Sequence, residues 1–318
     1  MWRANGGFER HLDQFRNLVP VALLLASGIL NHTAMAQVTG QTTFAAPAEA
    51  SEALYRGAQN NDTKELLEIF GPGGKDILYS GDEAEDAESR TTFVRGYEEM
   101  HRLVQEPNGT VTLYIGARNW PVPIPIVKIG DAWYFDTESG KREILFRRIG
   151  RNEISAIHIC RQLAAAEEEF KGQRHEYAQN IFSETGQHNG LYWEVAQGEP
   201  ESPIGPLVAE AVAEGYKKNG DAPVPYRGYF FRILTRQGKS ALGGAKSYIV
   251  GGKMTQGFAF MAYPAEYGSS GVKTFLVGRD GIVFENDLGK NTDAIARAMT
   301  QFNPESSWQR AEDQQELP

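Results

Sequence analysis

The chain of 318 residues contains a single cysteine, Cys160, so no intrachain disulfide can form. Stability must then come from packing, even in an oxidising compartment. Cys160 lies in a helical pattern, where a buried inert thiol is expected. Catalytic signatures are also missing. His175-Glu176 has no second histidine four residues on, which excludes the helical zinc-protease motif. Gly71-Pro-Gly-Gly-Lys75 lacks the spacing of a phosphate loop, and Gly268-Ser-Ser-Gly271 lacks the spacing of a nucleophile elbow. Positive charge is scarce: 32 Lys and Arg face 41 Asp and Glu, for a net charge of −9. Such a surface repels phosphate backbones and anionic lipid, so nucleic-acid and membrane-surface functions are not expected.

What is present begins with an export signature. Arg3, Arg10 and Arg16 precede an apolar run from Leu18 to Leu30, and the small-residue site Ala34-Met35-Ala36 follows. Basic, apolar and A-x-A segments in that order make a signal peptide over residues 1–36, with cleavage expected between Ala36 and Gln37. The run falls short of the roughly 20 residues a spanning helix needs. The expected product is exported to the periplasm or beyond, with no stable membrane span after cleavage.

Periodicity then divides the mature chain. Residues 37–46 are small and polar and read as a flexible leader. From 47 to 150 a helical region comes first. Ala50, Ala53, Leu54 and Ala58 form one face, Asp62 to Glu65 resembles a capping box, and Phe93, Tyr97, Met100 and Val104 extend a longer helix. The period then changes to two. Val111, Leu113 and Ile115 alternate with polar neighbours, Val122 to Ile129 and Ala132 to Asp136 read as a hairpin, and Arg142 to Phe146 as a fourth strand. A helix from about Asn152 to Phe170 opens the second part, 151–308, with Glu167-Glu168-Glu169 as a solvated run. Four strands follow, at Tyr229–Thr235, Gly257–Tyr263, Lys273–Val277 and Ile282–Glu285. Glycines supply their turns, and a short helix carries Ile295, Met299 and Phe302. Residues 309–318 read as a mobile tail. The fold class is α+β: helices with a curved antiparallel sheet, then a glycine-rich antiparallel sheet.

Several strings resemble the bacterial domain-of-unknown-function family 2950. Among them are Asn119-Trp-Pro-Val-Pro-Ile-Pro125, Trp133-Tyr-Phe-Asp136, Arg147-Arg-Ile-Gly-Arg-Asn-Glu153, Asn189-Gly-Leu-Tyr-Trp193, Ser202-Pro-Ile-Gly-Pro206 and Gly257-Phe-Ala-Phe-Met-Ala-Tyr-Pro264. The resemblance runs over nearly all of residues 42–308. It implies an exported, envelope-associated protein and brings no activity with it. For fold alone, the first part is similar to cystatin-like and nuclear-transport-factor-2-like domains, and Tyr229 to Glu285 to the globular sheet of type IV pilins. Fold likeness does not carry function.

Two groups of residues are candidates for binding. Arg147, Arg148 and Arg151 could hold a carboxylate or phosphate where a helix starts, helped by free backbone N–H groups, or could instead pair with acidic residues across the junction. His188, Tyr192 and Trp193 could line the same cleft or pin their loop to the core. Asp82, Glu83, Glu85, Asp86 and Glu88 lack calcium-loop spacing and read as a helix cap. No catalytic residue, metal or cofactor is assigned. The expectation is a non-catalytic binding or assembly module, with an envelope protein or a small anionic ligand as partner. A junction hydrolase using His188 as general base, and a pilus-associated subunit, are the alternatives.

Overall fold

The computed structural model describes residues 40–195, 201–214, 216 and 224–311. The expected signal peptide and its cleavage point lie outside them. The chain is α+β, with helices and antiparallel sheets. No helix among the described residues is long and apolar enough to cross a membrane.

Helix α1 (Pro47–Gln59) starts on a proline, α2 (Thr63–Phe70) is capped by Asp62, and a turn through Gly71 leads into the short α3 (Gly74–Leu78). Asp62 accepts from the Glu65 N–H at 3.0 Å, the bond expected of that capping residue. Helix α4 (Glu83–Glu99) lies against α1, where Tyr97 stacks on Tyr55 at 4.5 Å. The chain is anchored before α1. The buried Gln41 amide donates to the carbonyls of Ile69 and Phe135 at 2.9 and 2.8 Å. Phe44 forms a bridge with Trp133. The leader expected to be flexible over 37–46 is therefore fixed from Gln41 onward.

Helix α4 ends at Glu99, because Met100 turns extended and the next five residues pair as a strand. Val104, expected on the helix, thus lies in β1 (His101–Gln105), which runs antiparallel to β2 (Val111–Ile115). Strand β2 shows the expected alternation, with Val111, Leu113 and Ile115 buried. The two-residue β3 (Trp120–Pro121) pairs beside β2, as the prolines that follow allow. Strands β4 (Ile126–Ile129) and β5 (Ala132–Phe135) form the expected hairpin, with Gly130 at φ +58°. The sheet order is β1-β2-β4-β5.

Residues 142–146 are not a strand. They belong to α5 (Thr137–Arg174), one helix of 38 residues that also contains the segment expected to start near Asn152. Asp136 caps it by accepting from the Ser139 N–H, and Gly140 and Gly150 pass inside it without a break. At about 1.5 Å per residue it is roughly 57 Å long. Its first turns pack on α3 and on the segment leading into β4, where Gly140 lies directly against Ile124. Its second half, through Ile159, Leu163, Ala166 and Phe170, belongs to the C-terminal core. Cys160 is fully buried there, and burial pushes its thiol up to about 12.

Beyond α5 come the parallel pair β6 (Asn180–Phe182) and β7 (Gly190–Tyr192), then α6 (Gly205–Ala213). The second large sheet starts with β8 (Tyr229–Leu234). Two short ribbons follow, β9 (Arg236–Gln237) with β10 (Lys246–Ser247) and β11 (Ile249–Val250) with β12 (Lys253–Met254). Strands β13 (Ala259–Pro264), β14 (Lys273–Gly278) and β15 (Val283–Asp287) complete the four expected, and α7 (Thr292–Ala298) crosses behind them. The chain then adds β16 (Gln309–Arg310) to the edge of β15, giving the order β16-β15-β14-β13-β8. The tail expected to be mobile from 309 is held by pairing as far as Arg310.

Glu167 is a further correction. It is 0% exposed, not solvated, because α5 turns it inward beneath the loop at Ala178. Its carboxylate accepts from the Ala178 N–H at 2.8 Å, while Oε1 has no partner among the described residues. Burial lifts its pKa from 4.5 to about 8, against the lowering effect of that hydrogen bond. Between those values the folded protein holds a proton that the unfolded chain has released. Stability therefore falls as pH rises across that window and is level above it.

Two outcomes follow. Glu167→Gln keeps the acceptor for Ala178 and should be more stable than the parent at about pH 9, by up to the order of 5 kcal/mol at ~1.4 kcal/mol per unit. The gap should close toward about pH 5, and equal melting curves at both would refute the assignment. Gly140→Ala would place a Cβ 2.7 Å from Ile124 Cγ1. It should destabilise by about 1–3 kcal/mol in denaturant melts, despite alanine's better helix propensity.

Candidate functional site: the cleft at Arg148

Where α5 leaves the first sheet and meets the second, three elements converge. The N-terminus of α4 contributes Asp82, which caps it by accepting from the N–H groups of Ala84 and Glu85 at 3.1 Å. Its other carboxylate oxygen accepts from the Tyr216 hydroxyl at 2.7 Å. Burial, with that bond to Asp82, holds the tyrosine pKa far above its ordinary value, so Tyr216 stays a neutral donor. The acidic run thus acts as a cap, and both Asp82 oxygens are occupied.

The middle of α5 contributes Asn152 and Glu153, which fasten the loop between β13 and β14. Asn152 Nδ2 donates to the Ser270 carbonyl at 3.0 Å. Glu153 Oε1 accepts from the N–H groups of Val272 and Lys273, each at 2.9 Å. Gly228, at φ +75°, allows the chain to approach Asn152, since a Cβ there would lie 2.5 Å from Asn152 Nδ2.

The three arginines divide by their positions on the helix. Arg147 donates to Glu143 and to the Pro121 carbonyl, each at 2.7 Å, and lies over the Trp120 ring. Arg151 pairs across the junction with Glu85 at 2.7 Å. Only Arg151 pairs with an acidic residue across the junction; the acidic partner of Arg147 is on its own helix. Arg148 does neither. It is only 9% exposed, and among the described residues its guanidinium has no hydrogen-bond or ion-pair partner. It lines a cleft of about 310 Å³ with Asp82, Glu83, Asn152, Glu266 and Ser269. It also lines a neighbouring cleft of about 460 Å³, shared through Ser80, Gly81, Glu266 and Ser269.

One part of the sequence expectation is corrected. The arginines lie inside α5 and not at its start, so their backbone N–H groups are spent on intrahelical bonds and offer nothing to an anion. The second candidate group lies elsewhere. His188 is 3.1 Å from Arg174, at the far end of α5, and stacks on buried Trp193 at 4.7 Å. Trp193 meets Phe170 edge-on, and Tyr192 meets Phe182. Arg151 and Arg174 are about 35 Å apart along the helix. The two groups therefore form no common cleft, and the hydrolase that needed His188 beside the arginines has no site. His188, Tyr192 and Trp193 pin their loop to the C-terminal core.

Asp82, Tyr216, Gly228 and Glu266 were not foreseen as neighbours of Arg148. Asp82 had a sequence signal, as a cap; the others come together only through tertiary packing.

Residues 41–311 match the family described as protein of unknown function, DUF2950, and the chain belongs to that family. No curated protein and no solved structure matches it.

The clamp on the β13–β14 loop gives a direct check. Glu153→Ala leaves two backbone N–H groups without their acceptor. It should cost about 1–3 kcal/mol of stability and speed amide hydrogen exchange at Val272 and Lys273. Unchanged exchange there would show that the clamp does not hold the loop.

Proposed function

We propose that this member of the DUF2950 family is an exported, non-catalytic binding module that holds a small anionic ligand on Arg148. The observation that carries the reading is Arg148, a residue nine-tenths buried whose guanidinium has no partner among the described residues and opens on the cleft. A guanidinium held in a cleft with no protein acceptor gives up part of its hydration without a hydrogen bond in return. A carboxylate or phosphate in the cleft would recover that cost through paired, charge-assisted hydrogen bonds. The position of the cleft between two cores suits a binding site. The basic, apolar and A-x-A leader supports export, and the acidic mature chain supports a small ligand over nucleic acid.

The decisive variant is Arg148→Met, which keeps the stem and removes the charge. Without ligand it should be as stable as the parent or more so, because a buried unpaired charge is gone. Succinate and inorganic phosphate should raise the parent's melting temperature and leave the variant's unchanged. A variant that is destabilised without ligand, with both proteins indifferent to either anion, would make Arg148 a structural residue and overturn the reading. For export, cell fractionation should find a chain beginning at Gln37 outside the cytosol.

A further inference from the structure

The cleft of about 310 Å³ has an unusual charge balance for an anion site. Besides Arg148 it is lined by Asp82, Glu83, Glu85 and Glu266. Two of these carboxylates are already used, Asp82 by its cap and Tyr216, and Glu85 by Arg151. Glu83 and Glu266 are exposed, and neither side chain has a hydrogen-bond or ion-pair partner among the described residues. The unspent charge is therefore one cation at the floor and two anions at the rim. A simple dianion would sit on Arg148 and face both rim carboxylates, an arrangement that like-charge repulsion opposes. A ligand with its own cation at the outer end would match every unspent group.

Building on the anion-binding reading, we infer that the ligand is a small zwitterion of the amino-acid or short-peptide class. Its carboxylate lies inward on Arg148 and its ammonium outward between Glu83 and Glu266. The Ser269 hydroxyl, which lines both clefts, can hydrogen-bond the amide or carboxylate between them. The volume sits at the small end of the ~300–1,000 Å³ usual for ligand pockets, a size suited to one or two residues. The adjoining cleft, which shares Arg148, is where a longer side chain or a further residue would extend.

The test uses the mature protein and three related probes in calorimetric titration: L-alanyl-L-alanine, its N-acetyl derivative and its C-terminal amide. The free dipeptide should bind tightest. N-acetylation should weaken binding about tenfold, the scale of one exposed-to-half-buried charge contact at ~1.4 kcal/mol, and the amide should not bind. In the double variant Glu83→Gln, Glu266→Gln the free and acetylated dipeptides should bind alike, and both substitutions lie on exposed side chains where folding is unaffected. Arg148→Met should bind none of the three. If the acetylated dipeptide binds the parent as tightly as the free dipeptide, the zwitterion inference is overturned while the anion site stands. If the amide binds as tightly as the free dipeptide, or Arg148→Met binds like the parent, both readings fall.

Discussion

Everything in this molecule depends on α5 being one helix. Two separate cores, one around Ile126 and Phe135 and one around Phe260 and Phe275, each need a helical face to close them. Helices α1 and α2 close the first, with Ile144 of α5 at its margin, and the second half of α5 closes the second, so one helix of 38 residues ties the two together. That removes a loop from the junction and fixes the register between the sheets. The turns that belong fully to neither core, from Arg147 to Glu153, are forced to face whatever lies between the halves. In this stretch the helix spends its polar side chains on α4, on the edge of the first sheet and on the β13–β14 loop.

The contrast among the three arginines follows from that constraint. Successive helical residues are turned by about 100°, so neighbours in sequence meet different surroundings. Arg147 falls on the side of Trp120 and the Pro121 carbonyl, and Arg151 reaches the first turn of α4. Arg148 points to the gap between these contacts. Asp82, which lines the same cleft, already serves three donors. The cap thus removes one acidic partner from Arg148, and the exposed Glu83 and Glu266 of the same cleft make no ion pair with it.

The elements legible in sequence were those whose signal is local. Alternation at Val111, Leu113 and Ile115, the hairpin around Gly130 and the cap at Asp62 each depend on a few adjacent residues. The first half of α5 was obscured because Ile144-Leu-Phe146 is a short apolar run between charged residues, which fits a strand as well as a helix. Asp136-Thr137-Glu138-Ser139 is nevertheless a good helix start, and Gly140, Ile144 and Arg148 recur at helical spacing. Glu167 was hidden for another reason. A run of three glutamates reads as solvated by composition, but only their angular positions on the helix decide which one turns toward Ala178. Cys160, with apolar neighbours at helical spacing, carried its burial openly.

For the candidate site, residue type was informative and pairing was not. Three guanidiniums close together marked the junction, but which of them would be left unpaired depended on Glu85, Pro121 and Asp82, brought there by other elements. The loop at His188 shows the converse. Its aromatic and imidazole groups look like a ligand wall in sequence, yet their rings are used against Phe170 and Phe182, about 35 Å along the helix from the arginines. Aromatic groups can satisfy themselves by packing on any apolar neighbour. A buried guanidinium can be satisfied only by an acceptor, which makes Arg148, and not the aromatic loop, the residue on which the site turns.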